Sequence, residues 1–135
     1  MNREILFRGK RIDNGEWVYG YLFIDITGSR YIRVNTEKLG RYNDYQVYTK
    51  TIGQFTGITD ENSERIFEGD IVEMTWNVGC KDEHRDVGIV RCDDAPYEFD
   101  LHGCSESTND RFKYKHGRGL IIIGNIHDNE ELLNE

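Results

Sequence analysis

The sequence predicts an all-β protein, an N-terminal β-meander over residues 1–51 followed by a small barrel over residues 52–135 and a short terminal helix. Three observations carry this. Short β-branched and aromatic runs are separated by Gly, Asn and Asp turn signals at regular intervals. Helical periodicity is nearly absent. Aromatic residues make up 12% of the chain, a generous share of the kind small β-folds use. A chain of 135 residues is one domain or two small lobes sharing a core.

In order, Ile5-Leu6-Phe7 opens a strand that continues to Ile12. Asp13-Asn14-Gly15-Glu16 is the strongest turn signal, and Asn-Gly at its centre suits a type I′ turn. The return strand has Trp17, Tyr19, Tyr21 and Phe23 on one face and Val18, Gly20, Leu22 and Ile24 on the other. Gly20 between two tyrosines predicts a close backbone approach or a bulge. Thr27-Gly28-Ser29 turns the chain into residues 31–34, residues 35–44 read as polar and irregular, and alternation resumes from Tyr45.

Residues 52–74 organise the second half. Ile52 and Phe55 lie on a strand that reverses at Asp60-Glu61-Asn62-Ser63 and returns through Ile66-Phe67. Glu68-Gly69-Asp70 then turns it into the β-branched Ile71-Val72, and Gly69, before a β-branched run, is expected at positive φ. Strands over 71–76, 87–91, 97–101 and 120–126 would make the barrel. Asp93-Asp94 reads as a turn and Pro96 as a strand start, where its missing N–H is harmless. Residues 103–110, GCSESTND, read as a mobile loop, and 128–133 as a short helix with an Asp/Asn cap.

The run IGQFTGITDENSERIFEGDIV, the opening REILFRGKRIDNGEWVYGYL and the closing IIIGNIHDNEELL together resemble the YopX family, small proteins of phages and prophages. The three segments stand in the family's order and span nearly the whole chain. The resemblance implies an SH3-like barrel in the C-terminal half and a phage origin, and it supplies no catalytic residue.

Composition narrows the function. No run approaches the ~18 apolar residues of a membrane span, and MNREILFR lacks the apolar core of a signal peptide. Cys80, Cys92 and Cys104 are an odd number with no close pair, which predicts reduced thiols in a bacterial host's cytoplasm. Residues 1–56 hold nine Lys/Arg against six Asp/Glu, a net +3; residues 57–135 hold eight against nineteen, a net −11. Phosphate binding relies on Lys and Arg, so the acidic half is a poor nucleic-acid surface. The same split would let the basic part of one subunit meet the acidic part of the next.

Candidate chemistry is thin. His84, His102, Cys80, Cys92 and Cys104 are metal-ligand types, but they are scattered and form no CxxC pair. Glu98, Asp100 and His102 alternate on one strand, whereas a two-carboxylate site needs groups converging from separate elements. No Walker loop, HExxH, GxSxG or GxGxxG occurs. We expect neither enzymatic activity nor a cofactor.

Two readings remain. In the first, the protein is a non-enzymatic adaptor that forms homo-oligomers through Trp17, Tyr19 and Tyr21, because an aromatic hairpin face calls for a cover. In the second, Arg3, Arg8, Lys10, Arg11, Arg30 and Arg33 hold phosphates while the nearby aromatics stack on bases. Solvent-facing aromatics beside Arg8 and Arg11 would favour the second.

Overall fold

The structure, a computed structural model, describes residues 5–36, 38, 40–76, 79–92, 99–115 and 119–133. The chain divides into two compact units, residues 1–55 and 56–135. The expected turn at Asp93-Asp94, the roles of Pro96, Tyr97 and Glu98, and Arg3 lie outside the described residues.

The first unit contains β1 (Phe7–Lys10), β2 (Trp17–Ile24), β3 (Arg30–Asn35), β4 (Tyr42–Gln46) and the start of β5 (Gly53–Thr59). They form an antiparallel sheet in the order β4-β3-β2-β1-β5, so the meander is present and β1 is paired on both sides. Ile32 and Val47 are fully buried on one face. Gly20 is required by space, since a Cβ there would lie 2.1 Å from the Arg33 carbonyl oxygen. The close approach expected at this glycine is therefore present.

Two local expectations are corrected. The β1–β2 connection is not a type I′ turn, which needs positive φ at both central residues. Among these loop residues only Gly15 has positive φ (+73°). Arg11 and Gly15 bond across a longer loop: the Arg11 N–H donates to the Glu16 carbonyl and the Gly15 N–H to the Arg11 carbonyl, both at 2.9 Å. Asn14 spends its side chain on the Glu16 N–H at 2.9 Å, and Asp13 pairs with Arg11, which favours this wider loop. Residues 42–44, expected to be irregular, belong to strand β4, where Arg33 faces Asp44 across the strands. The polar string YNDYQ conceals a strand held by pairing with β3 rather than by an apolar face.

The second unit contains the rest of β5, then β6 (Arg65–Phe67), β7 (Asp70–Trp76), β8 (His84–Arg91), β9 (Asp100–His102), α1 (Glu106–Lys115) and β10 (Leu120–Asn125). Its four-stranded antiparallel sheet runs β10-β7-β8-β9 and, among the described residues, does not close into a barrel. Ile66, Val72, Met74, Val90, Phe99, Leu101, Phe112 and Leu120 form its buried core.

Two buried carboxylates fix the reversals of the 52–74 stretch. Asp60 Oδ1 accepts the N–H groups of Asn62 and Glu64, each at 2.9 Å, and its Oδ2 accepts Ile122 N–H at 3.2 Å. The hairpin is thereby tied to β10. Asp70 Oδ2 accepts Phe67 N–H at 2.7 Å. Between them Gly69 has φ +93°, as expected, and its N–H donates to the Val90 carbonyl at 2.8 Å.

The loop expected over 103–110 is a further correction, since Glu106–Lys115 is helical. Ser105 starts it: its Oγ accepts Thr108 N–H at 3.2 Å and its carbonyl accepts Asn109 N–H at 3.0 Å. Only Phe112 among its described side chains is a buried large apolar group, so periodicity could not reveal the helix. At the C-terminus the expected helix is one 3-10 turn, Glu130–Leu133, begun at Asn129.

Candidate interaction surface

The feature of interest is one face of the first unit's sheet. Register places Arg8 opposite Tyr19 and Lys10 opposite Trp17, then Tyr21 opposite Arg33 and Phe23 opposite Tyr31. These side chains share a face because alternate residues of a strand point the same way. Tyr19 is 46% exposed and Tyr21 is 55% exposed, while Trp17 is half-buried.

Cations and rings alternate across this face. The Arg8 guanidinium lies 4.6 Å and the Lys10 ammonium 5.5 Å from the Trp17 ring centre. Arg33 lies 3.7 Å from the Tyr42 ring and 4.9 Å from that of Phe23, which stacks on Tyr31 at 5.0 Å. Such contacts hold each ring in place and add about 0.5–1 kcal/mol at an exposed site.

The charges are largely compensated. Arg33 makes a two-pronged contact with Asp44 at 2.9 and 3.1 Å, which raises the guanidinium pKa. Arg11 does the same with Asp13 at 2.9 and 2.6 Å, and this bond holds the Asp13 carboxyl below its ordinary value. Arg11 is out of phase with Arg8 and Lys10 and lies over Tyr45, 4.2 Å away, on the other face. Arg30 donates to the Gly28 carbonyl at 3.2 Å, and Arg8 is buried. Of the expected residues, the structure thus assembles Arg8, Lys10, Trp17, Tyr19, Tyr21 and Arg33 on one face and leaves Arg11 off it. Phe23, Tyr31 and Tyr42 complete the face, and Asp44 is the member that sequence reasoning missed. Its one sequence signal is its place directly before the alternation that resumes at Tyr45.

The metal-ligand types do not converge. Among the described residues no group of three or more His, Cys, Asp or Glu could hold a metal ion. His84 stacks on Trp76 at 3.9 Å, Cys80 is exposed, and Cys104 donates to the Leu101 carbonyl at 3.6 Å. Burial, then the nearby Asp86 charge, pushes the Cys104 thiol up and away from the reactive thiolate form. Asp86 instead anchors the start of α1, accepting Ser105 N–H at 2.9 Å and the Thr108 hydroxyl at 3.0 Å. No described helix is long and apolar enough to cross a membrane.

The molecule is therefore a small two-unit antiparallel β-protein with an aromatic and cationic sheet face. The family described as YopX protein matches residues 6–134, and the chain belongs to that family. Among solved structures it is similar to the crystal structure of protein EF1440 from Enterococcus faecalis. That likeness has a TM-score of 0.58 and 23% sequence identity over 98% of this chain and 99% of the other, and it shows the fold. Comparison with curated proteins finds no match.

Proposed function

We propose that the protein is a self-associating, non-enzymatic interaction module of a phage or prophage, acting in the host cytoplasm. Its N-terminal unit presents the Trp17, Tyr19 and Tyr21 face as the binding surface, and the C-terminal unit serves as an SH3-like adaptor. The observation that carries this reading is the open, pre-ordered face: Tyr19 and Tyr21 are about half exposed beside rings held by Arg8, Lys10 and Arg33. Trp, Tyr and Arg are the residue types that dominate binding energy at protein interfaces, and rigid aromatic side chains lose little freedom on binding.

The nucleic-acid reading draws support from the same exposure, since Tyr19 and Tyr21 face solvent near Lys10. It is the weaker one. Arg33 and Arg11 are already paired with carboxylates, and the described residues of the face present no row of open cations of the kind that follows a phosphate backbone.

Light scattering at micromolar concentration, in low and high salt, separates the two. The wild type is expected to assemble with little salt dependence, and Tyr19→Ser/Tyr21→Ser to lower the mass. A monomeric wild type, or a folded double variant of unchanged mass, would overturn the proposal. Tight binding of a single-stranded oligonucleotide that weakens steeply with salt would establish the alternative.

A further inference from the structure

Strand β4 is an edge of the first unit's sheet, and its outer side is open along part of its length. The hydrogen-bonding phase follows from two contacts. Val47 N–H donates to the Arg30 carbonyl and Thr36 N–H to the Arg41 carbonyl, each at 3.0 Å. In an antiparallel pair, bonded and non-bonded positions alternate. Tyr45 and Asn43 therefore bond inward to β3, while the backbone groups of Tyr42, Asp44 and Gln46 point outward. The Gln46 carbonyl is taken by Ile12 N–H at 3.0 Å. Tyr42 and Asp44 keep an outward N–H and C=O each. Apart from its short length and the charge of Asp44, which Arg33 pairs, the strand carries no Lys, Pro or bulge of the kind that protects an open edge.

We infer that this edge, at the border of the aromatic face, is a second contact between copies of the chain, made by backbone groups rather than by the rings. Two β4 strands pair antiparallel about a two-fold axis through Asn43, so that Tyr42 of each copy exchanges two hydrogen bonds with Asp44 of the other. Register is set by what the edge excludes. Sliding by two residues to place Tyr42 opposite Gln46 would collide with Ile12 and set the two Asp44 side chains opposite each other, which like charges disfavour. Sliding the other way leaves a shorter overlap, ended by the turn at Gly40 (φ +77°).

Side-chain complementarity supports the same register. It sets Arg41 of each copy opposite Tyr45 of the other. Beside Tyr45 is a cavity of about 190 Å³ lined by Ile12, Asp13, Asp44, Tyr45 and Gln46, its two carboxylates held by Arg11 and Arg33. Among the described residues the exposed Arg41 guanidinium has neither ion pair nor hydrogen bond. In the pair it meets the Tyr45 ring, whose neighbour within its own chain is the Arg11 guanidinium, 4.2 Å away.

The seam is short, and contacts of this size are weak, so association is expected only at high protein concentration. The test uses the full chain carrying Tyr19→Ser/Tyr21→Ser, which removes the aromatic-face contact, with Cys80→Ser to remove the exposed thiol. Sedimentation from about 1 to 300 μM is expected to show a monomer–dimer equilibrium, weakened about tenfold by Arg41→Ala. In the same background Asn43→Cys, at an exposed non-bonded position on the axis, should form an intermolecular disulfide under mild oxidation. Non-bonded pairs bring Cα atoms to about 4.5 Å, within disulfide range. Gln54→Cys, on β5, should not cross-link. A monomer throughout, or a dimer that cross-links equally at both positions, overturns the inference. Either result leaves the aromatic-face reading to stand or fall on the mass of the wild type.

Discussion

Replacing Asp60 tests the hairpin on which the second unit is built. Its carboxylate is 5% exposed and accepts three backbone N–H groups, from Asn62, Glu64 and Ile122. A hydrogen bond to a charged acceptor is worth about 1.5–3 kcal/mol. Asn62 and Glu64 are exposed and regain water when their acceptor is lost, so their share is smaller. Ile122 is half-buried within β10 and regains little. Asp60→Ala should therefore cost about 3 kcal/mol, a Tm drop of roughly 12–24 °C for a unit of this size. Asp60→Asn separates the two roles. Its carbonyl can keep the turn bonds, but its NH2 would face the Ile122 N–H, donor against donor. It should cost less than Ala yet still release the Ile122 amide. The assay is urea unfolding followed by Trp76 fluorescence in a Trp17→Phe background, with amide exchange read at Ile122. A loss below about 1 kcal/mol for Ala, or full Ile122 protection in either variant, would refute the reasoning.

Three further outcomes are expected. Gly69→Val should destabilise the second unit by about 2–3 kcal/mol, because φ +93° is a position a β-branched residue rarely adopts; unchanged urea unfolding would count against it. At Asp86, burial opposes the charge, but bonds from Ser105, Thr108 and Val87 outweigh it and lower the carboxyl pKa below 3.8. Its stabilisation is present above that value and lost as pH falls through the lower folded value, so the wild type should weaken below about pH 4. Asp86→Asn should shrink that acid-dependent loss, and an identical pH profile would contradict this. Finally, chelator-free protein should contain no structural zinc; about one equivalent, lost together with the fold on chelation, would reverse that expectation.

The strands that alternate strongly were legible in the sequence, because the period of two along β2 and the β-branched entry to β7 are local properties. So was the positive φ of Gly69, which only needs a reversal immediately before Ile71-Val72. Gly20 was half-legible: its lack of side chain signalled crowding, but the carbonyl of Arg33 that crowds it comes from another strand. What hides is structure held by polar partners distant in sequence. Strand β4 exists through pairing with β3, and α1 begins through Ser105 and Asp86, 19 residues apart.

The candidate face divides in the same way. The sequence by itself determined that Trp17, Tyr19 and Tyr21 lie together, since strand geometry puts alternate residues on one side. It also placed basic residues nearby. Only the tertiary structure decided which of them share the face, because a one-residue phase difference sends Arg11 to Tyr45 while Arg8 and Lys10 meet Trp17. It also decided how much charge remains, since Asp44, 11 positions away from Arg33, neutralises it across the sheet. Register is a long-range property: it is set by which strand pairs with which, and no local pattern in residues 35–44 encodes it.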